Sequence, residues 1–121
     1  MERNFFINSL GSELYRHGFI SMFPKITIGG VEPEFTYATI QHERRNFFCT
    51  LWFNKNYTDV EVLIEENQKD KLNAWLVRFS IEYDTCYYID IKENDYNDDI
   101  VLQELVSIFR QVYHSLSKKE N

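Results

Sequence analysis

Near the start of the chain, Phe6, Leu10 and Leu14 recur at four-residue spacing with Ile7 beside them. That spacing lines up one helical face and predicts a helix over about 3–17, with Gly18 as its stop signal. Gly11 lies inside the segment and weakens the helix locally. From about 19 to 65 the period becomes two. "KITI" leads into a turn at "GGVEP", and in "EFTYATIQ" the residues Phe35, Tyr37 and Thr39 alternate with Thr36, Ala38 and Ile40. "HERRN" separates that strand from "FFCTLWF", where Phe47, Cys49, Leu51 and Phe53 share a face. "NKN" then leads to "TDVEVLIE", with Val60, Val62 and Ile64 opposite Glu61, Leu63 and Glu65. This predicts an antiparallel meander of three or four strands.

Residues 67–82 satisfy two templates. Leu72, Trp75, Leu76 and Phe79 fit a helix, and Asn67 with Asp70 supplies a start signal. Trp75, Val77, Phe79, Ile81 and Tyr83 fit a strand as well. The start signal tips the reading to an extra helix at 67–82. "CYYIDIK" predicts a further strand, with Tyr87, Ile89 and Ile91 on one face. Over about 98–116, Leu102, Leu105, Phe109, Val112 and Leu116 form a stripe of three- and four-residue steps, the clearest helix in the chain. Strand and helix blocks are segregated, so the fold class is α+β: an antiparallel sheet meander with N-terminal and C-terminal helices packed on it.

Length confines this to one domain, 1–121, with 116–121 as a frayed tail. The 17% aromatic content, with 10 Phe and 8 Tyr, is what disordered chains lack. No apolar run approaches the roughly 18 residues of a membrane-spanning helix, and the N-terminus lacks a signal-peptide core. Cys49 and Cys86 have neither metal-ligand spacing nor the density of a disulfide scaffold, which indicates a reduced, cytoplasmic setting. Sequence leaves open whether the two pair.

Charge changes the picture more than composition does. Residues 1–60 hold 6 cations and 6 anions, so the net −6 comes wholly from 61–121, with 7 cations and 13 anions. Within 82–104 there are 8 anions against Lys92 alone. A net-acidic surface repels phosphate, which argues against nucleic acid as the ligand. Reading Asp95 as the first position of a calcium loop places Asn97 and Asp99 correctly. It then puts Ile100 where Gly is required and Val106 where a bidentate Glu is required. A helix start is the better account of the nearest acids: Asp98 or Asn97 as cap, with Asp99 in the first turn. That leaves Glu82, Asp84, Asp90 and Glu93 unexplained. They interleave with Tyr83, Tyr87, Tyr88 and Tyr96, a combination suited to a partner rich in Lys and Arg.

Catalytic signals are missing from the pattern. His17, His42 and His114 have no metal-ligand spacing, and His17 and His114 fall near predicted helix C-termini, where structural use is expected. Cys49 sits in an apolar strand as a core residue, and acids around Cys86 would blunt its thiolate. There is no nucleophile elbow, phosphate loop or dinucleotide fingerprint. No cofactor and no metal are expected, and the chain does not read as an enzyme.

The expectation is a small acidic inhibitor that binds one basic protein, a nuclease toxin by preference, and occludes its cationic site. The residues assigned to that face are Glu82, Asp84, Tyr88, Asp90, Glu93, Asp95, Tyr96, Asp98 and Asp99. Neutralising Asp90, Glu93, Asp95 and Asp99 is expected to slow association with little loss of fold. A short, acidic, Cys-poor, aromatic-rich α+β domain carrying "YYIDIKENDYNDD" resembles the immunity proteins of bacterial contact-dependent growth inhibition systems. The resemblance implies a cytoplasmic protein, monomeric or weakly dimeric, that neutralises one cognate toxin, often a nuclease. It carries over no residue role. The chain also resembles type III secretion chaperones, which are small, acidic, α+β and commonly dimeric; that alternative implies a homodimer holding an effector. An enzyme is the third alternative.

Overall fold

In the computed structural model, which describes residues 3–23, 35–53, 59–68, 71–80, 85–91 and 99–119, the Phe6–Leu10–Leu14 stripe forms the buried face of helix α1 (Arg3–Arg16). The helix stops as its sequence requires. Gly18 has φ 85°, its N–H bonds the Tyr15 carbonyl at 3.1 Å, and the Phe19 N–H reaches back to Leu14 at 2.9 Å. This paired closure satisfies orphan carbonyls and needs a residue tolerant of left-handed backbone. Phe19, just beyond, is fully buried beside Leu14 in the core.

Six strands follow: β1 (Ile20–Met22), β2 (Phe35–His42), β3 (Arg45–Phe53), β4 (Asp59–Gln68), β5 (Lys71–Ser80) and β6 (Thr85–Ile91). Each pairs antiparallel with the next, giving one sheet in chain order. The proposed strand at "KITI" and turn at "GGVEP" lie outside the described residues. "HERRN" is mostly strand, since His42 pairs with Arg45. The turn is Glu43–Arg44, with Glu43 at φ 54°, in a loop length that favours positive φ.

Residues 71–80 correct the helix reading. They form β5, paired residue for residue with β4 from Asp59↔Ser80 to Gln68↔Lys71 and on its other edge with β6. Asn67, expected as a helix cap, lies within β4 opposite Leu72. A Trp75–Leu76–Phe79 pattern suits either period, and two flanking strands offering ladder bonds decide it for β. The sheet therefore has six strands: four in the span expected to hold three or four, the expected further strand as β6, and β5 in place of the helix. Between β5 and β6 the register shifts at Leu76/Val77, so that Leu76 opposes Asp90 and Val77 opposes Tyr88.

Both helices contribute to the core on one face of this sheet. Ala38, Ile40, Phe47, Cys49, Leu51, Phe53, Val60, Val62, Ile64, Trp75, Val77 and Phe79 join the helical residues in a single buried cluster. Helix α2 (Ile100–Lys119) buries Leu102, Leu105, Phe109 and Val112 as its stripe predicts, and also Val106, Ile108 and Tyr113. Aromatic rings tie the elements: Phe6 meets Phe53 at 5.9 Å and Tyr113 at 6.1 Å edge-to-face, while Phe79 stacks on Phe109 at 6.4 Å. Each such pair adds about 0.5–1.5 kcal/mol beyond its area burial.

Candidate interaction surface

The expected partner-binding residues divide three ways. Glu82, Asp84, Glu93, Asp95, Tyr96 and Asp98 lie outside the described residues. Tyr88 and Asp90 belong to β6, opposite Val77 and Leu76. Asp99 is held by a structural contact. Its carboxylate accepts two hydrogen bonds from Arg45, at 2.9 and 2.8 Å, and one from the Leu102 N–H at 3.0 Å.

That last bond makes Asp99 the N-cap of α2, one residue later than the expected cap at Asp98 or Asn97. The same Arg45 guanidinium clamps Glu66 through two bonds of 2.7 Å and lies 4.9 Å from the Phe47 ring centroid. Glu66 is only 3% exposed. A carboxylate so buried requires a cation, and Arg45 supplies it in fork geometry. Hydrogen bonds from Arg45 hold the Asp99 carboxyl below its usual range, against the opposing effect of burial, with the Leu102 N–H assisting. The Arg45 guanidinium is held firmly protonated in return. Asp99 thus fastens the start of α2 to β3 and β4.

Nucleophilic chemistry finds no footing among the described residues. Cys49 is a free thiol, fully buried, and burial pushes its pKa upward, with Glu65 adding to the effect. It cannot reach Cys86: the two sit on β3 and β6, three strand spacings apart, or about 14 Å, where a disulfide needs under about 7 Å. His17 lies between Glu13, at 3.6 Å, and Glu104, at 3.4 Å, linking the two helices. The His42 ring rests 4.7 Å from that of Phe19. No three His, Cys, Asp or Glu among the described residues form a metal-binding group. No described helix is long and apolar enough to cross a membrane.

The opposite face of the sheet is different in kind. Strand alternation sends Phe35, Tyr37, Phe48, Trp52, Leu63 and Leu76 away from the core, where neither helix lies over them. Phe48 is 42% exposed and Trp52 38%, and on the edge strand Ile20 is 64% and Met22 71%. Tyr37 stacks on Phe48 at 5.4 Å and meets Phe35 edge-on at 5.3 Å, so the aromatics are preorganised. Six strands of about eight residues present a face on the order of 600 Å2, near the ~800 Å2 per partner of a stable interface.

Two grooves cross this face. One, of about 610 Å3, runs along β1–β4 between Met22, Phe48 and Glu65. The other, of about 570 Å3, lies over Trp52, Leu63 and Leu76 and carries Asp59, Glu61 and Arg78. Glu61 and Arg78 are directly opposite in register, and the Arg78 Nε donates to Glu61 at 2.9 Å. Among its described residues the face thus carries Asp59, Glu61 and Glu65 against Arg78, a net of −2. Described charges on the helix side and the β2–β3 turn come closer to balance: Glu13, Glu43, Glu66, Asp99 and Glu104 against Arg16, Arg44, Arg45 and Arg110, a net of −1.

Sequence reasoning missed the aromatic face, although its signal was present. "FFCTLWF" is apolar at both parities, so it must be covered on both sides or leave one apolar side open. No protein-family model matches the chain, and no curated protein and no solved structure matches it either.

Proposed function

We propose that the chain is a small inhibitory binding protein of the immunity type, cytoplasmic, which neutralises one basic toxin by lying over its cationic site. A nuclease is the toxin class whose phosphate-binding site such a surface fits best. The observation that carries this reading is the segregation of charge. Among the described residues the open sheet face carries a net of −2 against −1 on the helix side, and the stretch 82–98 holds six further acids against Lys92 alone. Opposite fields accelerate encounter, and an aromatic centre ringed by carboxylates has the composition of a specific interface. Asp90, Glu93 and Asp95 serve as steering charges; Asp99 contributes by holding α2.

A second reading is favoured by the exposure of Phe48, Trp52, Ile20 and Met22: a chaperone-like homodimer that covers this face with a second copy or an effector segment. Co-purification with the product of the gene immediately upstream in the native locus separates the two. A one-to-one complex that weakens with salt and abolishes the partner's toxicity is the expected result. A stable homodimer that ignores that protein would transfer the assignment to the chaperone reading. Amide substitutions at Asp90, Glu93 and Asp95 should slow association and flatten its salt dependence.

A further inference from the structure

We propose that the groove along β1–β4 on the open face is a receptor for a basic side chain, Lys or Arg, of a protein partner, and that Glu65 is the carboxylate that selects it. The inference rests on the inhibitor reading for who the partner is, but its chemistry stands on the groove itself.

Glu65 is half-buried on the open face, opposite Phe48 of β3 and Ala74 of β5. Neither neighbour can neutralise it, and none of the described residues lining the groove is a cation. The Glu65 carboxylate makes neither a hydrogen bond nor an ion pair with the described residues, unlike Glu61 with Arg78 and Glu66 with Arg45. The rest of the groove supplies what a basic side chain needs besides charge. Ile20, Met22 and Phe48 make an apolar wall for a methylene stem. An Arg head can lie on the Phe48 ring and take both oxygens of Glu65. Asn46 and Asn67 line the same groove and offer amide oxygens to the remaining N–H groups. At about 610 Å3 the groove admits a short stretch of chain around that residue.

Charge complementarity decides between occupants. A phosphate or nucleic acid would meet a carboxylate with no cation beside it. A second copy would bring another face of net −2. A basic segment of a different protein meets neither penalty.

The test uses a defined probe, acetyl-Leu-Arg-Leu-Lys-Leu-amide, titrated into the full chain with backbone amide shifts as readout and its Gln-for-Arg/Lys counterpart as control. The expected result is saturable shifts at Met22, Thr39, Phe48 and Glu65. Binding should weaken about fivefold or more in Glu65→Gln and with the neutral peptide, as loss of a charge-assisted bond implies. Phe48→Ser should weaken both peptides by removing the wall, and the basic one more because the ring beneath the Arg head is lost as well. Equal binding of the two peptides, undiminished binding in Glu65→Gln, or shifts confined to β6 and 82–99 would overturn the proposal. So would shifts at these amides that follow protein concentration alone, which would mark a second copy as the occupant. Failure to bind the upstream gene product while peptide selectivity holds removes the toxin but not the groove. A complex with that product unaffected by Glu65→Gln, alongside peptides that are not discriminated, removes the groove but not the inhibitor.

Discussion

Glu66 faces the helix-covered side of the sheet, 3% exposed and gripped by Arg45, whereas Glu65, one residue earlier, lies on the open side in a groove whose described lining holds no cation. The same side chain is a structural device in one place and an available charge in the other. Water is the reason. Where helices exclude it, a carboxylate must carry its own counter-ion or destabilise the fold. Where the face is open, solvent satisfies the charge until something better arrives. The aromatics divide in the same way: Phe47 is 2% exposed within the core, and Phe48 beside it is exposed.

That division predicts a steep ordering of mutational effects. Phe47→Ala should have the largest, about 3–5 kcal/mol in urea unfolding, because it opens a cavity under both helices. Arg45→Met should come next at about 3 kcal/mol, since it leaves Glu66 buried and uncompensated. A loss below about 1 kcal/mol there would show that water reaches Glu66 and that the two faces differ less than described.

Asp99→Ala should cost about 1–2 kcal/mol through the helix cap alone, and Asp99→Asn, which keeps a capping oxygen, should cost less. Its pH dependence sharpens the point. The folded-state pKa of Asp99 lies below the ordinary value of 3.8, so its contribution is complete above about pH 4 and falls away as pH drops through the folded value. Stability measured from pH 7 to 2.5 should fall less steeply at the acid end in Asp99→Asn than in the wild type.

Smaller effects belong to the open face. Phe48→Ser should change unfolding stability by about 1 kcal/mol, through the lost stack on Tyr37, while weakening partner binding. Glu65→Gln should be smallest in stability, within about 0.5 kcal/mol. A large loss of stability in either would mean that the open face is part of the fold's support.

Much of the covered face was legible in the chain. Phe6, Leu10 and Leu14, and Leu102, Leu105, Phe109 and Val112, were placed on helices by spacing and are buried there. Gly18 ends α1 where its left-handed tolerance indicated. The open face was less legible because Phe48 and Trp52 were set aside once Phe47, Cys49, Leu51 and Phe53 had claimed a face. The Arg45–Glu66–Asp99 cluster was not legible at all. Its members are 21 and 54 residues apart from Arg45 in sequence, and no local spacing signals such a contact.

The amino-acid sequence by itself determined which residues would be turned to one side of each element, because helical and strand periods are local properties of the backbone. It also determined the acidic balance and the stop at Gly18. Only the tertiary structure decided that 71–80 is a strand, since hydrogen bonding to β4 and β6 outweighs a pattern that fits both periods. It likewise decided which carboxylate is neutralised inside and which stays available, because both helices settle on one face of the sheet and leave the other to solvent.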